Sequence, residues 1–333
     1  MAKIVLGMGA SHTPLLTLDS HHWMQRAAVD FANKALNLSD GRFVTYDELL
    51  QEVGPKYEAV VTAEILREKA LRCGAALDRL AQELERARPD VVIIVGDDQR
   101  ELFDANNQPV LAVYHGAEIV TNDKFAHEDP PEWIDQMGKG YLMDEIHRFP
   151  ASPEFALELI RNLLERDVDV ATVADIPDPE KAGFGHAYGF IVQRLMGKRR
   201  IPVVPLLLNT YYPPNVPSSG RVYRIGRALA EAIAASPSPA RVAVIASGGL
   251  SHFVVDEALD RGVLGAFERS DAEYLSSIPR EALVSGSSEI LNWILTAAAV
   301  ADLPLHWQEY HPLYRTPAGT GVGAGFAVWR ERS

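Results

Sequence analysis

Short, wholly apolar runs rich in β-branched residues alternate along this chain with longer stretches in which apolar residues recur every three or four positions. Residues 3–9, 91–95, 109–114, 168–173, 201–209, 241–245 and 320–329 read as strands. Continuous apolar runs of this length belong in a sheet covered on both faces. The three- and four-residue spacing predicts helices over 23–33, 57–88 (one bent helix or two), 152 to about 166, 220–235, from beyond His252 to Tyr274, and 289–300. Thr45-x-x-Glu48 forms a capping box for a further short helix. Pro202 and Pro205 predict that the run 201–209 is an edge or bulged strand. Residues 115–149 show little periodicity, with 129–133 as a loop. Strands alternating with helices predict an α/β fold.

Several of these runs collapse into glycine and then present an ionisable side chain. Gly9-Ala10-Ser11-His12-Thr13-Pro14 follows the first strand, Gly96-Asp97-Asp98-Gln99 the run 91–95, and Ser247-Gly248-Gly249-Leu250-Ser251-His252 the run 241–245. Gly185-His186 is a third glycine-flanked histidine. Glycine turns the backbone through angles other residues avoid, and in open α/β sheets ligands sit at the carboxyl edge of the strands. Each histidine alone could simply bond a neighbouring carbonyl; together they predict a site. Asp97 and Asp98 are either buried and paired or liganded, or exposed caps of the next helix. Glu289 falls in the first turn of a helix, where a carboxylate also complements the helix dipole. His21 and His22 are expected on the surface, since adjacent residues face apart in a regular element. No chemistry attaches to His115, His127 or His147.

Composition narrows the classes. A formal charge of −13 and a pI near 5.2 argue against a nucleic-acid footprint. Cys73 is the only cysteine among 333 residues, which excludes a disulfide framework and a multi-thiolate zinc site. Residues 1–7 lead straight into a strand without the pattern of a leader, and no apolar run is long enough to span a bilayer. A cytoplasmic protein without membrane partners is expected.

Taken in order, these motifs resemble the class III extradiol ring-cleavage dioxygenases of the LigB type, which include the protocatechuate 4,5-dioxygenase catalytic subunit and the gallate and 3-O-methylgallate dioxygenases. The matching pieces run from the His12 turn through Gly96 to Gln99, Gly185-His186, 205–214, the His252 turn and Ser285 to Glu289 with Trp293, to the terminal glycine strand. The resemblance implies one LigB-like α/β domain over 1–333, a mixed central sheet flanked by helices, with residues 19–88 as an N-terminal helical insertion. It further implies Fe(II) held by two histidines and a glutamate, a small catecholic aromatic acid and O2 as substrates, and a homo-oligomer or a separate small partner subunit. Carried over by position, His12 and Glu289 are metal ligands, His252 is the base and His186 contacts substrate. The family's second histidine ligand aligns with Gln99, so Gln99 is expected at the metal, with Asp98 as its rival.

Two neutral imidazoles and a carboxylate suit an iron that must take a chelating diol and O2 side by side. A histidine titrating near neutrality can remove the diol's remaining proton. Two other readings stay open: a related oxygenation or carbon–carbon cleavage marked by Gln99, and a non-catalytic binding protein on the same scaffold. Arg100, Arg221 and Arg315 are the candidates for holding a substrate carboxylate.

Overall fold

Nine strands form one mixed sheet in the computed structural model, which describes residues 1–197 and 199–331. Its centre is parallel: Lys3–Ala10, Arg241–Ser247, Val91–Gly96 and Val203–Leu208 lie side by side in that order. Thr320–Trp329 runs antiparallel to Lys3–Ala10 at one flank, and Leu111–Tyr114 antiparallel to Val203–Leu208 at the other. Alternation decides the layers. Val91, Ile93 and Val95 pack into one core with the helices Ser219–Ala234 and Ile290–Ala299, while Val92 and Ile94 face a second core with Ala63–Ala87. All of Val91–Gly96 is buried, as expected of a strand covered on both faces.

The expected strands and helices form, with informative departures. The Thr45–Glu48 capping box starts Tyr46–Val53, and residues 57–88 resolve into one helix, Ala63–Ala87, after a short turn. Val203–Leu208 is interior and not an edge. Its ladder to Leu111–Tyr114 begins at Leu206, beyond Pro205, so the missing amide interrupts none of those antiparallel pairs. Leu305–Tyr314, unassigned from sequence, pairs with residues 321–329 of Thr320–Trp329. The stretch read as a loop at 129–133 runs into a helix, Glu132–Tyr141, whose Gly138 and Gly140 weaken its signal.

Helix Trp23–Phe31 is tied to the sheet by one buried charge cluster. Asp30 accepts from Arg315 Nε and Nη2 at 2.7 and 2.9 Å and from the Thr320 hydroxyl at 2.8 Å. Removing one partner strands a buried charge. Asp30→Ala should therefore cost about 3–5 kcal/mol in urea unfolding, and adding Arg315→Leu should recover part of that loss; simple addition of the two single effects would refute the coupling.

Candidate functional site

Because the four central strands are parallel, their carboxyl ends deliver His12, Asp97 to Gln99, Tyr211 and the His252 turn to one edge. Glu289 arrives from the turn before Ile290–Ala299, and His186 opens the helix His186–Phe190. His12, Gln99, His186, Tyr211, His252 and Glu289, with Tyr141 and Arg26, line a cavity of about 340 Å³. The glycines are needed for this crowding. A Cβ on Gly249 would stand 2.0 Å from the His252 ring, and one on Gly185 2.5 Å from the Glu101 carboxyl carbon.

Glu289 is buried at the centre. Its Oε2 accepts the Gly249 amide at 2.6 Å and its Oε1 the Gln99 amide nitrogen at 3.3 Å. Three imidazoles surround it. His12 Nδ1 meets Ser247 Oγ at 2.9 Å, and that hydroxyl donates to the Ala187 carbonyl at 2.6 Å. Ser247 therefore accepts from His12, which leaves the proton of a neutral His12 on Nδ1 and bares Nε2. That buried Nε2 has no hydrogen-bond partner, yet it lies 3.2 Å from Glu289 Oε2. Two lone pairs so placed repel unless a cation joins them. Two donor atoms about 2.1 Å from one ion, at right angles around it, are roughly 3 Å apart, so the pair fits a metal ion.

His186 supplies the third donor of this group: the ligand atoms of His12, His186 and Glu289 all lie within 4.8 Å of one another. Glu101 orients it, with Oε1 3.1 Å from His186 Nδ1. A carboxylate behind an imidazole is the usual support of a histidine ligand. Burial alone would lower the His186 pKa, but the Glu101 hydrogen bond and the Glu101, Asp97 and Glu289 charges raise it to about 9. Burial likewise pushes Asp97 up, with the Glu289 charge adding to it, to about 6.

His252 differs. Its Nδ1 donates to the Leu250 carbonyl at 2.8 Å, which directs the Nε2 lone pair into the cavity, 3.6 Å from Glu289 Oε2. Desolvation lowers its pKa, so it stands neutral at pH 7. Asp260 holds the turn, accepting the Ser251 amide and hydroxyl at 2.8 and 2.7 Å.

The structure thus brings together His12, Gln99, His186, His252 and Glu289. Gln99 enters through its amide nitrogen, shared between Glu289 and Asp97. Asp98 turns away and accepts the backbone amides of Arg100, Leu102 and Phe103; it is buried, it holds a turn with no helix after it, and it does not line the cavity. Of the arginines expected to hold a carboxylate, Arg315 lines the cavity but is held by Asp30; Arg100 is exposed over the Tyr212 ring, and Arg221 does not line the cavity. Ser247, Glu101 and Arg26 were missed, because their significance lies in pairings across the fold. His22 is buried, against expectation: the tight turn Ser20–His22 brings the two adjacent rings to 3.8 Å, beside Glu132.

A family profile described as "Catalytic LigB subunit of aromatic ring-opening dioxygenase" matches residues 55–309. A gallate dioxygenase of Pseudomonas putida is 26% identical over 138 residues, covering 37% of this chain and 38% of that protein. The aligned stretch is thus well under half of that relative's length. Among the described residues no helix is long and apolar enough to cross a membrane.

The His186–Glu101 pair gives a pH signature in the metal-free chain. A folded pKa near 9, above the ordinary 6.5, means that its stabilisation is complete below about pH 6.5 and lost as pH rises through 9. The urea midpoint should fall between pH 7 and 9, and Glu101→Gln should flatten that fall; an equal slope in both proteins would show that the pair does not carry it.

Proposed function

The chain belongs to the family of catalytic LigB subunits of aromatic ring-opening dioxygenases, and from that premise we propose that it opens the ring of a small catecholic aromatic acid with O2. Protocatechuate, gallate and 3-O-methylgallate are the substrate types. We assign Fe(II) to His12, His186 and Glu289, and the role of base to His252. The observation that carries this is the bare His12 Nε2 held against Glu289 Oε2 in a buried cavity.

Iron(II) on two imidazoles and one carboxylate keeps positions free for a chelating diol and O2, and lowers the pKa of a bound hydroxyl. The protein's own groups do the rest. Ser247 and Glu101 fix the two histidines by their Nδ1 atoms. Gln99 and the Gly249 amide orient Glu289. His252, neutral and with Nε2 free toward the cavity, takes the remaining hydroxyl proton. Phe125, Met137, Phe253 and Val322 line the cavity and limit water.

Gln99 favours a second assignment of the third ligand, since a half-turn of its amide would present Oε1 to the ion beside Glu289. Iron content of anaerobically purified variants separates the two. His12→Ala and Glu289→Ala should lose iron. His186→Ala should lose it as well while Gln99→Ala keeps it; the reverse pattern transfers the ligand role to Gln99. His252→Ala should retain iron and lose turnover by a factor of about 10² to 10⁴ in O2 uptake with the three acids, and iron loss there would put His252 in the metal shell. Wild-type protein that binds iron but consumes no O2 with any of them, or with aminophenols, would overturn the dioxygenase reading.

A further inference from the structure

Three cationic side chains line the cavity, and two of them are neutralised: Arg315 by Asp30 in a two-point ion pair, and Lys124 by Glu101 at 3.4 Å. Arg26, from the helix Trp23–Phe31, has no such partner. It makes no ion pair among the described residues, and its Nε is buried without any hydrogen-bond acceptor. Asp30 stands one turn further along the same helix, but Arg315 and Thr320 already occupy its oxygens. The Arg26 guanidinium lies over the Trp133 ring, 5.5 Å from its centroid, a contact that satisfies none of its N–H donors with an oxygen acceptor.

A half-buried guanidinium with an unfilled donor lacks an acceptor. We infer that Arg26 is an anion-binding subsite of this cavity, taking the carboxylate of an aromatic acid whose hydroxyls point toward His12, His252 and Glu289. The orientation of the ligand rests on the ring-opening reading above. A carboxylate fits the planar fork of arginine by two parallel hydrogen bonds. One unpaired guanidinium matches one carboxylate, because Arg315 and Lys124 on the same lining are already paired with Asp30 and Glu101. Arg26, His12, His252 and Glu289 line the same cavity, so one ligand seated there faces both ends. Tyr141, whose hydroxyl donates to the His12 carbonyl at 2.6 Å, is part of the same lining. On this assignment the helix Trp23–Phe31 selects acids over neutral catechols.

The test is calorimetric binding of two unreactive probes, 4-hydroxybenzoate and phenol, to the full chain. Arg26→Met should weaken 4-hydroxybenzoate roughly 10- to 100-fold and move phenol by less than about threefold; Arg26→Lys, which keeps the charge without the fork, should fall between. Unchanged 4-hydroxybenzoate affinity in Arg26→Met overturns the assignment. Equal losses for both probes in both variants overturn it as well, since they would make Arg26 a wall of the cavity and not a reader of charge. Binding is independent of turnover. Charge-selective binding by a chain that opens no ring leaves the subsite standing and removes the dioxygenase reading; ring opening with charge-blind binding does the reverse.

Discussion

Everything at the sheet edge is arranged around one costly placement: a carboxylate, Glu289, taken out of water and surrounded by three imidazoles. A buried carboxylate survives only if its oxygens are occupied. Two donors, the Gly249 amide and the Gln99 side chain, account for part of that need. The remainder falls to His12, whose hydrogen bond to Ser247 has already committed its other nitrogen. The consequence is an unfilled coordination demand at a defined point, which is more informative than a cluster of acids and histidines would be. Removing the Ser247 hydroxyl would free His12 to change tautomer and so dissolve the demand.

That placement depends on the parallel centre of the sheet. Ala10, Gly96 and Ser247, at the ends of their strands, are 86 to 237 positions apart in sequence, yet the parallel register brings their carboxyl ends to one edge of the sheet. The helix Ile290–Ala299 is buried along its whole length against this sheet, so Glu289 at its start cannot retreat into solvent. Close packing extends the constraint backwards into the strands. Gly9 faces the Trp293 ring so closely that a Cβ would lie 2.0 Å from it, and any shift of that indole would move the turn carrying Glu289.

The fold was legible where local pattern and tertiary environment agree. Val91–Gly96 and residues 242–246 of Arg241–Ser247 are apolar and buried on both faces, and the Thr45–Glu48 box is complete within four residues. Legibility failed where packing overrode local signals. Leu305–Tyr314 is only half buried along most of its length and owes its strand to its partner, and Pro205 sits in an interior strand that composition places at an edge. The site divided along the same line. Glycine-flanked His12, His186 and His252 could be picked out because a sharp turn leaves a sequence trace. Ser247, Glu101 and Arg26 could not, since a serine closing a strand and an arginine on a helix look ordinary until Ala187, His186 and Trp133 are seen beside them.

Two parts of the chain therefore meet in the cavity with different physical duties. The sheet edge contributes the imidazoles and carboxylates, held by backbone amides, serine hydroxyls and glycines whose positions the register fixes. The segment from Trp23 to Phe31 contributes Arg26 and Asp30, and it is joined to the sheet chiefly through the Asp30–Arg315–Thr320 cluster. This division makes charge selection separable from the sheet edge: a change on the helix alters which ring is admitted without touching a strand end. It also explains why two arginines face one cavity without repelling the structure apart. Asp30 neutralises Arg315 in full, so a single unbalanced guanidinium remains, and it stands on the wall that arrives from outside the sheet.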